Sequence, residues 1–136
     1  MIRIKTIKFK SYGNKKIGFL IPFYLEKHFK NFKLKRFFII NGNNKSIRAD
    51  HAHRKCEQVF IAINGTTKIE VISQKEKKEN FIISEKNKTF LRVPKLHWVK
   101  IKFMDKKASI LVLCNYKYDK KEYILNKKKF FEFKIL

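Results

Sequence analysis

The sequence predicts an all-β domain, a sandwich or barrel of short strands. Three observations carry that prediction. Apolar and polar residues alternate with a period of two, most cleanly in T-K-I-E-V-I-S (residues 67–73). Turn signals punctuate the chain at roughly 8–12-residue spacing, the strongest being N-G-N-N (residues 41–44) and N-G-T (residues 64–66). A helical period is almost absent and shows only weakly over Glu122 to Phe133.

Taken in order, residues 1–10 set Ile2, Ile4, Ile7 and Phe9 between basic residues, which reads as an edge strand. Ile17 to Phe23 is an apolar run containing Gly18 and Pro22. Leu34 to Ile40 (L-K-R-F-F-I-I) is a strand ending at the N-G-N-N turn. Glu57 to Ile63 ends at Asn64-Gly65 and pairs across that turn with Thr67 to Ser73. Four more strands are expected at Asn80 to Ser84, Thr89 to Pro94, Val99 to Phe103 and Ser109 to Asn115.

A chain of 136 residues is expected to form one domain over 1–136, long enough to bury one core. Hydrophobic residues make up 44%, which is too apolar for disorder. No run approaches ~20 apolar residues, so no membrane-spanning helix is expected. The N-terminus lacks the apolar stretch and cleavage site of a signal peptide. Cys56 and Cys114 read as buried, reduced thiols of a cytoplasmic protein. The net charge of +23 invites a nucleic-acid reading. Yet the basic residues are mostly Lys and are spread over the whole chain, whereas a nucleic-acid reader concentrates Arg and exposed aromatics in one element. Nucleic acid is therefore not expected as the primary ligand, although the field favours an anionic one.

The chemistry concentrates in R-A-D-H-A-H-R-K-C-E-Q (residues 48–58). On a strand, His51 and His53 share a face and Ala52 points away. Such a pair either holds a metal or moves protons, unless it is merely solvated. A metal-binding cupin pattern would follow His-x-His with a Glu and a Gly, then a His on a later strand beyond Pro-x-Gly. Gly65 fits, but Glu57 and Gln58 compete for the Glu position, Leu96 replaces the second Gly and Val99 stands where the last ligand belongs. His97 comes two residues early. Proton transfer needs no metal: imidazole has a pKa near ~6.5 and both takes and returns protons at neutral pH.

The 48–58 stretch resembles the R-G-x-H-A-H-K-x-x-x-Q signature of the nucleotide-sugar 3,4-ketoisomerases, small cupins acting on dTDP-4-keto-6-deoxy-glucose. I-P-F-Y (residues 21–24), K-R-F-F-I-I (residues 35–40), V-P-K-L-H-W (residues 93–98) and Y-K-Y-D-K-K-E-Y-I (residues 116–124) are similar to further stretches of that family, in the same order. Here Ala49 replaces the signature Gly, Arg54 its Lys, Leu125 a tail Arg, and Phe38 a tyrosine whose hydroxyl belongs in or near the pocket.

The resemblance implies a cupin jelly-roll barrel and a homodimer exchanging N-terminal strands. It implies an isomerase that moves the keto group of a dTDP-4-keto-6-deoxy-hexose from carbon 4 to carbon 3 through an enediolate. No cofactor or metal would be needed, and the product would serve 3-amino-dideoxy sugar synthesis for surface glycans. His53 is expected as principal base at carbon 3 and His51 as its partner, an assignment that is reversible. Arg48 is placed for an oxyanion or phosphate, and Arg36, on an otherwise apolar strand, is expected to pair with a pyrophosphate or a carboxylate. Gln58 either orients an imidazole or makes a structural hydrogen bond. His97 is expected on the pocket wall, setting the face of protonation in favour of a galacto product. Trp98, Tyr116, Tyr118 and Tyr123 are candidates for stacking on thymine or sugar, or for the core, and Asp119 for anchoring the tail. Two other classes stay open: a metal-dependent cupin enzyme with His51 and His53 as ligands, and a sugar-nucleotide binding module without chemistry.

Overall fold

In chain order the strands are β1 (Lys5–Lys8), β2 (Tyr12–Asn14), β3 (Gly18–Leu20), β4 (Arg36–Gly42), β5 (Ile47–His53), β6 (Gln58–Asn64), β7 (Thr66–Ser73), β8 (Lys78–Ser84), β9 (Thr89–Val93), β10 (His97–Phe103), β11 (Ala108–Cys114) and β12 (Tyr123–Ile124). Two short helices, α1 (Leu25–His28) and α2 (Lys127–Glu132), and a 3-10 turn at Lys120–Glu122 lie between and after them. This computed structural model describes residues 3–133, with the backbone alone at Leu25 and Glu26; the expected strand residues Met1 and Ile2 lie outside that range.

Two five-stranded antiparallel sheets, ordered β1-β9-β6-β11-β4 and β12-β5-β10-β7-β8, make an all-β, cupin-like architecture. Period-two alternation sends one set of side chains between the sheets: Phe60, Leu91, Ile110 and Val112 from the first, Ile69, Val71, Val99, Ile101 and Phe103 from the second. Burying one such aromatic or branched side chain stabilises the fold by about 1.5–3 kcal/mol. The turn at Asn64-Gly65 forms as the sequence predicts. Gly65 has φ +71°, and a Cβ there would stand 2.6 Å from the Lys107 carbonyl oxygen.

The outer faces are covered by the ends of the chain. Phe9, Phe29 and Phe32 pack on Val59, Ile61, Phe90 and Leu113 of the first sheet. Arg92, on that same outer face, is buried with Glu57; its Nε donates to Glu57 Oε1 at 2.8 Å and its Nη2 to the Lys30 carbonyl at 3.0 Å. On the second sheet, Phe130 of α2 covers Trp98, Ala52, Ile72 and Ile124.

Several elements differ from expectation. The strand expected over Leu34 to Ile40 begins at Arg36 and runs through Gly42, so the turn starts after the N-G pair, with Lys45 at φ +68°. Ile17 to Phe23 contributes only β3, which closes a small hairpin with β2. The weak helix over Glu122 to Phe133 is instead the end of the 3-10 turn, then β12, then α2. Pairing of Tyr123 and Ile124 with β5 outweighs the helical pattern there. β1 pairs with β9 of its own chain, Lys5 opposite Arg92.

Candidate active site

β5 carries both histidines, and its backbone is bent just before them. Ala49 and Asp50 have φ of +66° and +61°, and the register with β10 shifts between Val99 and Lys100. Two successive left-handed residues in a strand make a bulge, which re-aims the side chains on either side. Ala49 holds a conformation that glycine adopts more readily. Asp50 turns outward, where its Oδ1 accepts from Trp98 Nε1 at 2.9 Å. Beyond the bulge, His51 and His53 point the same way and Ala52 is buried on the opposite face.

The Nε2 atoms of His51 and His53 are 3.2 Å apart. A contact of that length between two ring nitrogens holds one proton, donated by one ring and accepted by the other. His53 is only 3% exposed, and its Nδ1 lies 2.5 Å from Glu122 Oε1. The second oxygen, Oε2, accepts from the backbone N–H groups of Lys55 (3.1 Å) and Cys56 (3.4 Å). The 3-10 turn delivers this buried carboxylate. Asp119 caps it, accepting from the Lys121 N–H, and the Arg54 N–H ties the Glu122 carbonyl to the end of β5. Burial pushes the Glu122 carboxyl up, but the His53 hydrogen bond and charge and the two backbone donors outweigh it, leaving the group below the usual range. The order is therefore cavity, His51, His53, Glu122.

A cavity of about 240 Å³ lies between the sheets, lined by Phe38, Ile40, Arg48, Ala49, His51, Gln58, Phe60, Ile101, Val112 and Tyr123. His51 faces it and His53 stands behind. Burial first, and His53 second, push the His51 imidazole down to about 4, so the ring facing the cavity is neutral at neutral pH. Tyr123 sits against both imidazoles, with ring centroids 4.9 and 4.4 Å away. Its hydroxyl accepts from Arg36 Nη2 at 3.1 Å, which leaves the phenolic proton free to be donated. Burial raises the Tyr123 pKa, with Arg36 opposing, so the phenol keeps that proton.

The residues singled out in the sequence separate accordingly. Arg48, Phe38, Gln58, His51 and Tyr123 meet at the cavity. Arg36 supports it from one side, its guanidinium 5.2 Å above the Phe38 ring and its Nε donating to the Tyr116 carbonyl. Gln58 Nε2 lies 3.5 Å from Cys114 Sγ and makes no hydrogen bond to an imidazole. Four of the candidates do not line this cavity. Trp98 belongs to the core under α2, on the outer face of the sheet, because its parity on β10 matches Ala52. His97 lines a second cavity of about 610 Å³ with Lys55, Glu57, Leu96 and Asn115, its Nδ1 on the Lys95 carbonyl. Tyr118 is exposed and Tyr116 lies beside Lys55, neither lining the histidine cavity. Glu57 turns to Arg92, so the carboxylate that a His-x-His metal set would require there is already engaged. The carboxylate that does reach a histidine, Glu122, was missed by sequence reasoning. Its one signal was an acidic residue directly before the apolar pair Tyr123-Ile124.

The family model described as FdtA: WxcM-like, C-terminal, matches residues 2–135. The chain belongs to that family. Solved structures agree across nearly the whole length. WlaRA, a TDP-fucose-3,4-ketoisomerase from Campylobacter jejuni, is 33% identical, with TM-score 0.79 and coverage of 96% of this chain and 95% of that one. QdtA, a sugar 3,4-ketoisomerase from Thermoanaerobacterium thermosaccharolyticum solved with TDP, is 26% identical, with TM-score 0.84 and coverage of 95% and 92%. WlaRB, a TDP-quinovose 3,4-ketoisomerase from Campylobacter jejuni, is 26% identical, with TM-score 0.85 and coverage of 97% and 99%. No curated protein matches the chain significantly.

Proposed function

We infer that this chain is a sugar-nucleotide 3,4-ketoisomerase acting on a dTDP-4-keto-6-deoxy-hexose. The observation that carries the reading is the line of groups from the cavity through His51 and His53 to Glu122, in a member of a family whose structurally similar proteins are ketoisomerases of TDP-sugars. The reaction needs a base that is neutral at working pH, a route for the proton, and a donor for the developing oxyanion.

We assign the roles as follows. The carbon-4 ketone acidifies the hydrogen on carbon 3. His51, neutral and facing the cavity, removes it, the reverse of the order expected from the sequence. The positive charge that develops on His51 is shared through the Nε2–Nε2 contact with His53 and balanced by Glu122. The Tyr123 hydroxyl, polarised by Arg36, donates to the enediolate oxygen and compensates for the phenol lost at Phe38. The carbon-3 hydroxyl passes its proton to the carbon-4 oxygen, and the imidazolium, whose proton has exchanged with solvent, then protonates carbon 4 and leaves the ketone on carbon 3. Arg48 at the cavity is assigned to a phosphate or oxyanion of the substrate. No step calls for a metal or cofactor.

The product is read as galacto-configured, because the 33%-identical relative is named a TDP-fucose-3,4-ketoisomerase and fucose is a galacto-configured 6-deoxyhexose. We further read the chain as one domain forming a homodimer. The exposed Phe37 and Ile39 of β4 offer an apolar face, and exchange of N-terminal strands would replace the β1–β9 pairing within the chain. Among the described residues no helix is long and apolar enough to cross a membrane. Two free buried thiols support a cytoplasmic setting.

The test is turnover of dTDP-4-keto-6-deoxy-glucose followed by carbon NMR. The reading requires the carbonyl signal to move to carbon 3. Binding of the sugar nucleotide with no movement would make the chain a binding module.

A further inference from the structure

A second chemistry is built behind the histidine cavity. A ring nitrogen of His53, the Cys56 sulfur and a carboxylate oxygen of Glu122 all lie within 4.8 Å of one another. The three residues are 3%, 2% and 2% exposed. They come from the end of β5, the loop after it and the 3-10 turn, which the Arg54 N–H to Glu122 carbonyl bond clamps together at 2.7 Å. We propose that His53, Cys56 and Glu122 form a binding site for one thiophilic divalent cation of the zinc class, and that its occupation switches the isomerase off.

The donor set selects the ion. One imidazole, one thiolate and one carboxylate suit zinc or cobalt, with water as fourth ligand. Calcium and magnesium require several oxygen ligands, and the nearby Glu57 carboxylate is taken by Arg92. The two anions formed on ligation, Cys56 thiolate and Glu122 carboxylate, balance the charge of the ion. Bond lengths of about 2.0–2.3 Å to a tetrahedral ion set its ligand atoms roughly 3.3–3.8 Å apart. The ion therefore replaces the 2.5 Å hydrogen bond between His53 Nδ1 and Glu122. The protons balance: the Cys56 S–H proton leaves to solvent, the proton of the Nε2–Nε2 contact passes from His51 to His53, and the proton displaced from His53 Nδ1 is made good on His51 Nδ1, so both rings stay neutral and no electron is transferred.

The consequence for catalysis rests on the ketoisomerase reading; the binding does not. With the ion in place His53 is fixed in the tautomer that presents Nε2–H to His51, and Glu122 no longer balances a charge on the ring pair. The proton taken from the sugar then has nowhere to be held.

The experiment is titration of metal-free protein with cobalt(II), with Cys56→Ser and Cys56→Ala alongside. The site requires a thiolate-to-cobalt charge-transfer band saturating at one ion per chain, displaced by zinc and absent from both variants. The isomerase rate of the parent protein should fall on the order of 10²-fold as zinc saturates, while either variant keeps its metal-free rate and ignores zinc. A folded parent with no band, a band that survives in the variants, or full occupancy with an unchanged rate would each overturn the proposal. If the metal-free parent shows no ketone migration, the isomerase reading fails, and the cobalt band still decides the site.

Discussion

Glu122 Oε1 stands 2.5 Å from His53 Nδ1 although 69 positions separate the two residues. The carboxylate accepts three hydrogen bonds, one from the ring and two from backbone N–H groups, and is almost fully buried. Glu122→Gln keeps the shape but loses the charge, and its amide nitrogen cannot accept, so at least one of the three donors loses its partner. The expected result is a fall in kcat on the order of 10² with KM changed by less than about threefold. Glu122→Asp, which keeps the charge, should recover part of the loss. Equal effects on kcat and stability in both variants would make Glu122 a structural residue only.

The pH dependence follows from His51. Its pKa is lowered to about 4 by burial and by His53, from 6.5. The acid limb of kcat/KM should therefore fall near pH 4 and not near 6.5. The same shift acts on folding. Between those two values the unfolded chain binds more protons at this site than the folded one, so its contribution to stability is complete above 6.5 and is lost as pH falls toward 4. Rate profiles and urea unfolding at several pH values check both. An acid limb near 6.5 in fully folded protein would show that His51 is not the desolvated base.

Arg92 and Glu57 carry a different kind of prediction. Both are buried, and they are each other's charge partner. Arg92→Leu strands the Glu57 carboxylate and should cost about 3–5 kcal/mol. The double replacement Arg92→Leu with Glu57→Leu should restore most of that, since a buried pair is often close to neutral against an apolar one. Denaturant unfolding reads the two. A single variant as stable as the parent would mean that Glu57 is not held by this pair.

How much of this was legible in the sequence differs by level. The β7 strand is plain in T-K-I-E-V-I-S because one face is buried and one is not, so alternation survives in the composition. The pairing of His51 with His53 follows from strand parity alone. Which ring faces the cavity does not, since parity puts both on one face; the cavity reaches His51, while Tyr123 and Glu122 close over His53. Trp98 next to His97 suggested a pocket wall, but neighbours on a strand point to opposite sides, and the outer side here is covered by Phe130. Glu122 was hidden because its role is a tertiary one. In the lysine-rich stretch Y-D-K-K-E-Y nothing local distinguishes a buried charge partner from a solvated acid. The short helix Leu25–His28 was likewise unannounced, its four residues being too few to show a period.

The most direct test of the central claim is solvent exchange. The protein is incubated with dTDP-4-keto-6-deoxy-glucose in deuterated water, beside His51→Asn, and the sugar is followed by proton NMR. The account predicts that the parent moves the ketone to carbon 3 and places deuterium on carbon 4, with coupling constants of a galacto ring. His51→Asn should still bind the sugar nucleotide while both processes slow by about 10²–10⁴-fold. Deuterium entering carbon 4 at an undiminished rate in His51→Asn, or no ketone migration in the folded parent, would contradict it.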